Sequence, residues 1–285
     1  MNKKTRLAIF AAGTATLALA VAALIIFTPG NASNPLSEIS APSDSVTAPT
    51  AAQLATLPEA RYDAVIGSLI PVTSTVELGA EAETYTLKHD AALYGVRDTH
   101  PIARLAAENF ALERTTVIAT RHSGDWTLIL TPARRSLPSK SGGDAAAQTA
   151  AWIRTIDLTG KRAIDSAVTI SVADETLAVR RGRTVTTFKI GVGMDTTPTP
   201  VNVTGYLQAR YLDPTQGQSV HPIQLTSLHS RTVDEPLVGG RGGLIGIHYQ
   251  IDNTGKVSHG CIRLTAAAIT AVNDLPLGTP ITITP

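Results

Sequence analysis

Short runs of alternating apolar and polar residues dominate residues 166–285 of this chain. Two of them are Val168–Val172 and Thr176–Val179, and a run rich in β-branched residues follows at Thr184–Ile190. Because successive side chains of a strand point to opposite faces, such runs predict strands with one buried face. Arg180–Arg183 supplies a polar turn between the last two runs, which predicts a β-hairpin.

One short helix is predicted near the C-terminus. Thr265 can act as its N-cap, Ile269 and Val272 share one helical face, and Pro276 stops it. Pro280–Thr284 then closes the chain as a strand. The fold class predicted for residues 166–285 is therefore mainly β, with one short helix.

A second, smaller β-rich domain is predicted for residues 59–163. An SH3-like barrel is one arrangement that fits this pattern. Thr115–Thr120 and Trp126–Thr131 flank a Ser-Gly-Asp turn, which indicates a hairpin. Ala103–Phe110 is predicted to form a short helix. Nothing in this part carries an evident chemical motif, so we interpret it as an accessory domain.

The N-terminus indicates export from the cytoplasm. Lys3, Lys4 and Arg6 precede an uncharged run, Leu7–Thr28, whose length is close to the roughly 20 residues that span a bilayer. Residues 1–32 are predicted to be a signal peptide or a membrane anchor, with the rest of the chain extracytoplasmic, secreted or anchored at the cell wall. Residues 33–58, rich in Ala, Ser, Pro and Thr, predict an extended, mobile linker.

Charge and cysteine content exclude several classes of protein. The formal net charge is +1 and no basic cluster is interleaved with aromatics, so a nucleic-acid partner is not expected. The chain has one cysteine, Cys261, so neither an intrachain disulfide nor a cysteine-rich zinc site can form. A lone cysteine in an exported protein is a liability unless it is buried or used.

The chemical motif of the chain lies around this cysteine. It reads Ser258-His259-Gly260-Cys261-Ile262-Arg263-Leu264, and Gly246-Ile247-His248 precedes it. A thiol needs a nearby base or positive charge to become a nucleophile, and His248, His259 and Arg263 are available. His259 and Cys261 would share one face if both lay in a strand. N–H groups around Gly260 could stabilise an oxyanion.

Cys261 has three other interpretations: a buried hydrophobic residue, a metal ligand, or the nucleophile of another class of cysteine enzyme. A single cysteine among apolar residues is often a small buried hydrophobic side chain. A metal site formed with His248 and His259, and with His229 or His221, lacks the ligand spacing of known sites. A papain-like protease would place its cysteine before its histidine, and the strand motif of sortases is absent.

The motif closely resembles the signature of the L,D-transpeptidase (YkuD-type) catalytic domain. Further matches lie at Gly191–Gly193, Thr197–Pro200 and Leu277–Ile283, so the resemblance extends over residues 166–284. It implies a β-sandwich-like catalytic domain that acts on peptidoglycan stem peptides by ping-pong acyl transfer. It implies neither a metal nor an organic cofactor, and it implies that carbapenems acylate Cys261.

The resemblance also implies roles for individual residues. Cys261 would attack the carbonyl between meso-diaminopimelate and D-alanine, releasing D-alanine, and a second stem's amine would resolve the thioester. His248 matches the base, and His259 helps to shape the oxyanion region with the N–H groups of Gly260 and Cys261. The resemblance further implies that Ser258 positions the loop and that Arg263 either binds a substrate carboxylate or forms a structural ion pair. Tyr249, a candidate substrate-binding residue, stands where the family commonly has glycine or serine.

Two alternatives remain open on the sequence alone. If water resolves the thioester, the enzyme is an L,D-carboxypeptidase. A relative that binds the cell wall without catalysis would keep the fold and have an unreactive Cys261.

Overall fold

The computed structural model describes residues 35–78, 82–213, 220–234 and 243–285. They belong to one compact unit that spans residues 33–285. The predicted leader, residues 1–32, lies outside the described residues. Within the described ranges, no helix is both long enough and apolar enough to cross a bilayer.

The N-terminal part is built on a six-stranded antiparallel sheet and a two-stranded sheet, counted over the described residues. In chain order the strands are β1 (Ile70–Val72), β2 (Glu83–Leu87), β3 (Ala91–Leu93), β4 (Ala103–Leu105), β5 (Thr116–Ser123), β6 (Trp126–Thr131), β7 (Gln148–Arg154) and β8 (Leu158–Ala163). The larger sheet, here the first sheet, has the order β1-β7-β6-β5-β2-β8, and β3 pairs with β4. Short 3-10 turns at Pro138–Lys140 and Thr155–Asp157 flank β7.

The hairpin predicted in this part is confirmed as β5 and β6. Ser123 pairs with Trp126, and Gly124 takes the positive φ of +56° that the tight turn requires. Every residue of β6 is buried, and Trp126 and Trp152 of the neighbouring strand are fully enclosed. The chain's two tryptophans therefore both lie in the core of the first sheet.

The helix predicted for Ala103–Phe110 is wrong, because this segment begins with strand β4. Ala103 and Leu105 are buried, whereas Arg104 between them reaches Glu59 at 2.5 Å and Asp90 at 2.7 Å. Alternating burial and these two ion pairs favour an extended backbone over the helix propensity of Ala and Leu.

Residues 35–57, for which composition predicted a mobile linker, lie along the first sheet. Leu36 and Val46 are buried in its hydrophobic cluster. The Arg121 guanidinium donates to the carbonyl of Leu36, and that of Arg154 donates to the carbonyl of Val46. A short helix, α1 (Ala51–Ala55), follows a Thr50 capping box. The difference arises because two well-placed apolar side chains and distant arginines hold this segment, and composition does not reveal either.

The C-terminal part is built on a ten-stranded mixed sheet, again counted over the described residues. Its strands are β9 (Ser166–Ser171), β10 (Thr176–Arg181), β11 (Thr184–Lys189), β12 (Gly191–Gly193), β13 (Val203–Tyr211), β14 (Ile223–His229), β15 (Leu244–Tyr249), β16 (Gly255–Ser258), β17 (Ile262–Leu264) and β18 (Pro280–Thr284). This second sheet has the order β11-β10-β9-β18-β13-β14-β15-β17-β12-β16. The prediction of a mainly β fold is confirmed, including the hairpin of β10 with β11 and the final strand.

The predicted short helix is α2 (Ala266–Asn273), which lies beside β15 and β17. The Thr265 side chain caps it by accepting from the N–H of Ala268, and Ile269 and Val272 are fully buried. They join Ile245 and Ile247 in the core of the second sheet. Ile245 and Ile247 therefore face α2, whereas the alternate residues of β15 lie on the opposite face of the sheet.

The two sheets share part of their packing. Tyr206 of β13 is buried in the same hydrophobic cluster as Trp126 and Trp152. The Ser227 hydroxyl of β14 donates to the side-chain carbonyl of Gln148 in β7 at 2.7 Å. The first sheet therefore contacts the strands that precede the cysteine motif.

Candidate active site

Cys261 lies in the short connection between β16 and β17 and is half-buried. The chain leaves the strand after Ser258, and Gly260 has a φ of +108°, which favours glycine. The expectation that His259 and Cys261 share a strand face is therefore wrong. His259 is exposed, whereas the thiol points inwards.

Two backbone groups of β15 orient the Cys261 sulfur. The N–H of Gly246 donates to Sγ at 3.4 Å, and the thiol donates to the carbonyl of Leu244 at 3.8 Å. A methyl group on Gly246 would lie 3.0 Å from Ile223 Cγ2, which is a tight contact, and 3.8 Å from Sγ, which is an ordinary one, so the glycine relieves crowding against Ile223 rather than against the thiol. Burial raises the pKa of the Cys261 thiol, while the Gly246 N–H and the charge of Arg263 lower it.

His248 lies two residues beyond Gly246, so both project from the same face of β15. The imidazole is 5% exposed, and its Nδ1 lies 3.1 Å from the carbonyl of Tyr249. A carbonyl can only accept, so Nδ1 carries the proton and Nε2 keeps its lone pair. Burial lowers the pKa of His248, and Arg263 lowers it further. No hydrogen bond joins His248 to Cys261 within the described residues.

Ser258 closes the cysteine loop from inside. Its hydroxyl donates to the carbonyl of Cys261 at 2.5 Å and accepts the N–H of Gly260 at 3.2 Å. Ser258 is 1% exposed, so this pair of bonds is shielded from water. The Gly260 N–H, which the resemblance assigns to the oxyanion region, is thus engaged by Ser258 in this structure.

The Thr-Pro-Thr-Pro turn holds the same loop from the other side. Thr199 Oγ1 accepts from the N–H of Gly193 and donates to the carbonyl of Gly260, both at 2.9 Å. Thr197 donates its hydroxyl to the carbonyl of Ser258 at 3.4 Å. Sequence reasoning matched this turn to the family but gave Thr199 no role. The position of Thr199 between two prolines was the sequence feature that could have indicated this role.

Arg263 and Tyr249 lie on opposite sides of the sheet. Arg263 pairs with His248 in the parallel β15–β17 register, and its Nη1 lies 3.6 Å from the Asp252 carboxylate. Its Nε is buried and has no hydrogen-bond partner among the described residues. Tyr249 packs instead against the core of the second sheet. The geometry thus brings together Cys261, His248 and Arg263, and it directs Tyr249 away from them.

Tyr211 also belongs to this region, although nothing in the sequence indicates it. It pairs with Ile223, whose side chain approaches Gly246 beside the thiol. Burial raises the pKa of Tyr211, and a negative charge on Cys261 raises it further. Phe110, from the N-terminal part, packs edge-on against the Tyr211 ring at 5.9 Å. Strand pairing, which the sequence does not show, brings these residues together.

The two histidines of the metal alternative occupy other places. His229 Nε2 lies 3.0 Å from the carbonyl of Pro132, and His221 Nε2 lies 2.9 Å from the Thr270 hydroxyl. Among the described residues, no group of three His, Cys, Asp or Glu side chains is arranged to hold a metal ion.

Residues 165–283 match the YkuD family model, described as the L,D-transpeptidase catalytic domain, which confirms the family named from the motif. A mutant Enterococcus faecium L,D-transpeptidase is 22% identical, with 42% of this chain and 49% of that chain covered and a TM-score of 0.29. The chain thus spans about half the length of that protein. L,D-transpeptidase 3 from Mycobacterium tuberculosis is 13% identical, with 56% and 92% covered and a TM-score of 0.34. No curated protein sequence matches this chain.

Proposed function

Because residues 165–283 match an L,D-transpeptidase catalytic domain, we propose that this protein is a peptidoglycan transpeptidase with Cys261 as nucleophile and His248 as base. The observation that carries the proposal is the position of the Cys261 sulfur. It contacts the Gly246 N–H on the face of β15 from which the imidazole of His248 also projects. This places a thiol and an unprotonated ring nitrogen on one surface.

The ground state of this pair is neutral. Burial raises the pKa of the Cys261 thiol and lowers that of His248, so near pH 7 the sulfur keeps its proton and the imidazole is uncharged. The thiol therefore needs a base at the moment of attack. With Nδ1 fixed on the Tyr249 carbonyl, Nε2 of His248 is the nitrogen that takes the proton.

In the proposed acylation step, a thioester to Cys261 replaces the amide bond to D-alanine. Sulfur attacks the carbonyl carbon between meso-diaminopimelate and D-alanine while the thiol proton passes to His248. Collapse of the tetrahedral intermediate breaks the carbon–nitrogen bond, and His248 returns the proton to the departing D-alanine amine. The product is a thioester on Cys261. The exposed His259 and the N–H of Cys261 are our candidates for stabilising the oxyanion.

The acceptor decides the product. An amine from a second stem attacks the thioester, restores the thiol and joins the third residues of two stems. Water in the same position yields a shortened stem, the carboxypeptidase outcome. Peptidoglycan lies outside the cytoplasm, so we place the catalytic domain there, in line with the leader predicted for residues 1–32.

The neighbouring residues have supporting roles in this proposal. Ser258 and Thr199 fix the cysteine loop through its carbonyls. Arg263 acts through its charge, which favours the thiolate as it forms. Tyr249, half-buried against the core of the second sheet, supports β15 in this proposal.

The test is an assay of the purified chain on a disaccharide tetrapeptide, followed by mass spectrometry of the products. We expect D-alanine release and a dimer whose mass shows the loss of one D-alanine. Shortened monomer without dimer would assign the carboxypeptidase reaction instead. Cys261→Ala is the control. Absence of D-alanine release from the folded wild-type chain would favour the non-catalytic, wall-binding alternative.

A further inference from the structure

Arg134 is a buried arginine in the N-terminal part, just beyond the end of β6. It is 1% exposed, and its backbone is fixed by hydrogen bonds with Ala64 and Ile66. Burial lowers the pKa of its guanidinium. A buried cation is costly unless its donors are satisfied, so the groups that accept from it indicate what the side chain does.

Both acceptors are backbone carbonyls in the segment that follows β14. Nη2 of Arg134 donates to the carbonyl of Ser230 at 2.8 Å, and Nη1 donates to that of Asp234 at 3.2 Å. Arg134 thus fixes the course of a backbone. A planar guanidinium can hold two carbonyls at a set spacing, which an ammonium group cannot do.

The segment held by Arg134 contacts the start of β15, the strand that carries the partners of the thiol. The N–H of Ser230 donates to the carbonyl of Gly243 at 2.6 Å, and His229 pairs with Leu244. A methyl group on Gly243 would lie 2.4 Å from the Val233 carbonyl, so the two backbones are in close contact. The next residues of β15 are those whose carbonyl and N–H orient the Cys261 sulfur.

We propose that Arg134 is a positioning residue for Cys261. It holds residues 230–234, and these hold the start of β15, so that the Leu244 carbonyl and the Gly246 N–H stay in register with the thiol. The first sheet then takes part in a reaction whose chemistry lies on the second. The inference rests on the proposed role of Cys261 as nucleophile.

A matched control exists in the same segment. Arg231 also joins this segment to the N-terminal part, through two bonds of 2.9 and 2.8 Å to the Asp144 carboxylate. This pair is solvent-exposed, with side-chain exposures of 37% and 61%. Exposed ion pairs contribute little, so loss of Arg231 removes a link between the two parts without moving β15.

The thiol itself reports on its own placement. Among the described residues, Arg263 and Tyr211 interact electrostatically with the thiol, His248 lies on the same face of β15, and the exposed His259 lies two residues away along the chain; an Arg134 variant keeps all four. The Gly246 N–H lowers the pKa of Cys261. Burial has the largest effect and raises that pKa, so if β15 shifts with the thiol still buried and this contact lengthens, the pKa of the thiol rises and alkylation at neutral pH slows.

The experiment compares Arg134→Met, Arg134→Lys and Arg231→Ala in the full chain. Rates of Cys261 alkylation by iodoacetamide are measured across a pH series, with thermal unfolding recorded for each variant. We expect Arg134→Met to react at least about tenfold more slowly near neutral pH, with its profile displaced to higher pH. Arg134→Lys should be intermediate, and Arg231→Ala should stay within about twofold of wild type.

Two results overturn the inference. One is a folded Arg134→Met chain whose alkylation rate depends on pH as in the wild type. The other is an Arg231→Ala chain in which alkylation slows by the same factor as in Arg134→Met. If Arg134→Met does not fold, Arg134→Lys decides, and a wild-type profile there refutes positioning. The assay uses no peptidoglycan. A wild-type chain that fails to release D-alanine while its alkylation depends on Arg134 would refute the proposed function alone.

Discussion

His248 and Cys261 are both held in the form that carries no charge, and the cause lies in their immediate surroundings. Each is removed from water by the sheet, which penalises imidazolium and thiolate alike. Such a pair differs from a preformed thiolate–imidazolium pair, because its reactivity depends on proton transfer during the attack. The rate should therefore follow the ionisation of His248.

Replacement of His248 by Gln removes the base and keeps a similar volume. General bases typically contribute about 10²–10⁴-fold, so we expect a loss of that order in kcat/KM for D-alanine release. In the wild type the lowered pKa of His248 keeps the imidazole neutral as the pH falls. The acid limb of the profile should therefore lie below the ordinary histidine value of about 6.5.

His259→Gln provides the comparison for that experiment. His259 is exposed and not bonded to the thiol in the described structure, so its loss should leave the position of the acid limb unchanged. An acid limb that persists unaltered in His248→Gln would show that another group is the base.

The proposed nucleophile and base could be named from the sequence, whereas their surroundings could not. Cys261 and His248 stand in a short motif, so local spacing sufficed to name them. Tyr211 and Arg134 reach the site through strand pairing and through a carbonyl contact 96 residues away. No local pattern encodes such contacts, because they arise only when the sheets assemble.

At the scale of elements, the cysteine loop is held by side-chain bonds to its own carbonyls rather than by ladder pairing. Ser258 bonds to Cys261 and Thr199 bonds to Gly260, while Gly260 takes a φ that favours glycine. These hydroxyls therefore hold the loop at two of its carbonyls.

Thr199→Val tests this account of the loop. The substitution keeps the shape of the side chain but leaves the Gly193 N–H and the Gly260 carbonyl without their partner in a buried position. Unsatisfied buried groups cost about 1–3 kcal/mol, so the free energy of unfolding should fall by that amount in urea titration. Carbapenem acylation of Cys261 should also slow.

Thr199→Ser keeps the hydroxyl and is the matched control. It should recover most of the stability and of the acylation rate. Equal behaviour of the valine and serine variants would show that packing of Thr199, rather than its hydrogen bonds, supports the loop.

Regular elements were predictable where local pattern and environment agree. Alternation identified β10, where buried Leu177 and Val179 alternate with more exposed residues, and the Thr265 cap identified α2, which buries Ile269 and Val272. β11 is exposed along almost its whole length, and its β-branched residues rather than a buried face identified it. The helix predicted for Ala103–Phe110 was wrong because the ion pairs of Arg104 with Glu59 and Asp90 favour an extended backbone at the start of this segment. Residues 35–57 follow a course set by carbonyl contacts with distant arginines.

At the scale of the whole molecule, the two sheets are parts of one compact unit rather than independent bodies. Tyr206 lies in the core of the first sheet, Gln148 bonds to β14 of the second, and Arg134 bonds to the segment that follows β14. Residues that the chain already contains can show whether the two sheets unfold together. Both tryptophans report on the first sheet, and the one cysteine reports on the second.

We expect the two probes to give one unfolding transition. Tryptophan fluorescence and the accessibility of Cys261 to a thiol reagent, followed across a urea titration, should have coincident midpoints. Separate midpoints would show that the sheets unfold independently, and a positioning role for the first sheet would then lose its physical basis.

The central claim is that Cys261 is a nucleophile that reacts with peptidoglycan-like acyl donors. Intact-protein mass spectrometry with and without a carbapenem tests it most directly, with Cys261→Ala beside the wild type. The account predicts a single covalent adduct on the wild-type chain and none on the variant. A folded wild-type chain that has a titratable free thiol and forms no adduct would contradict it.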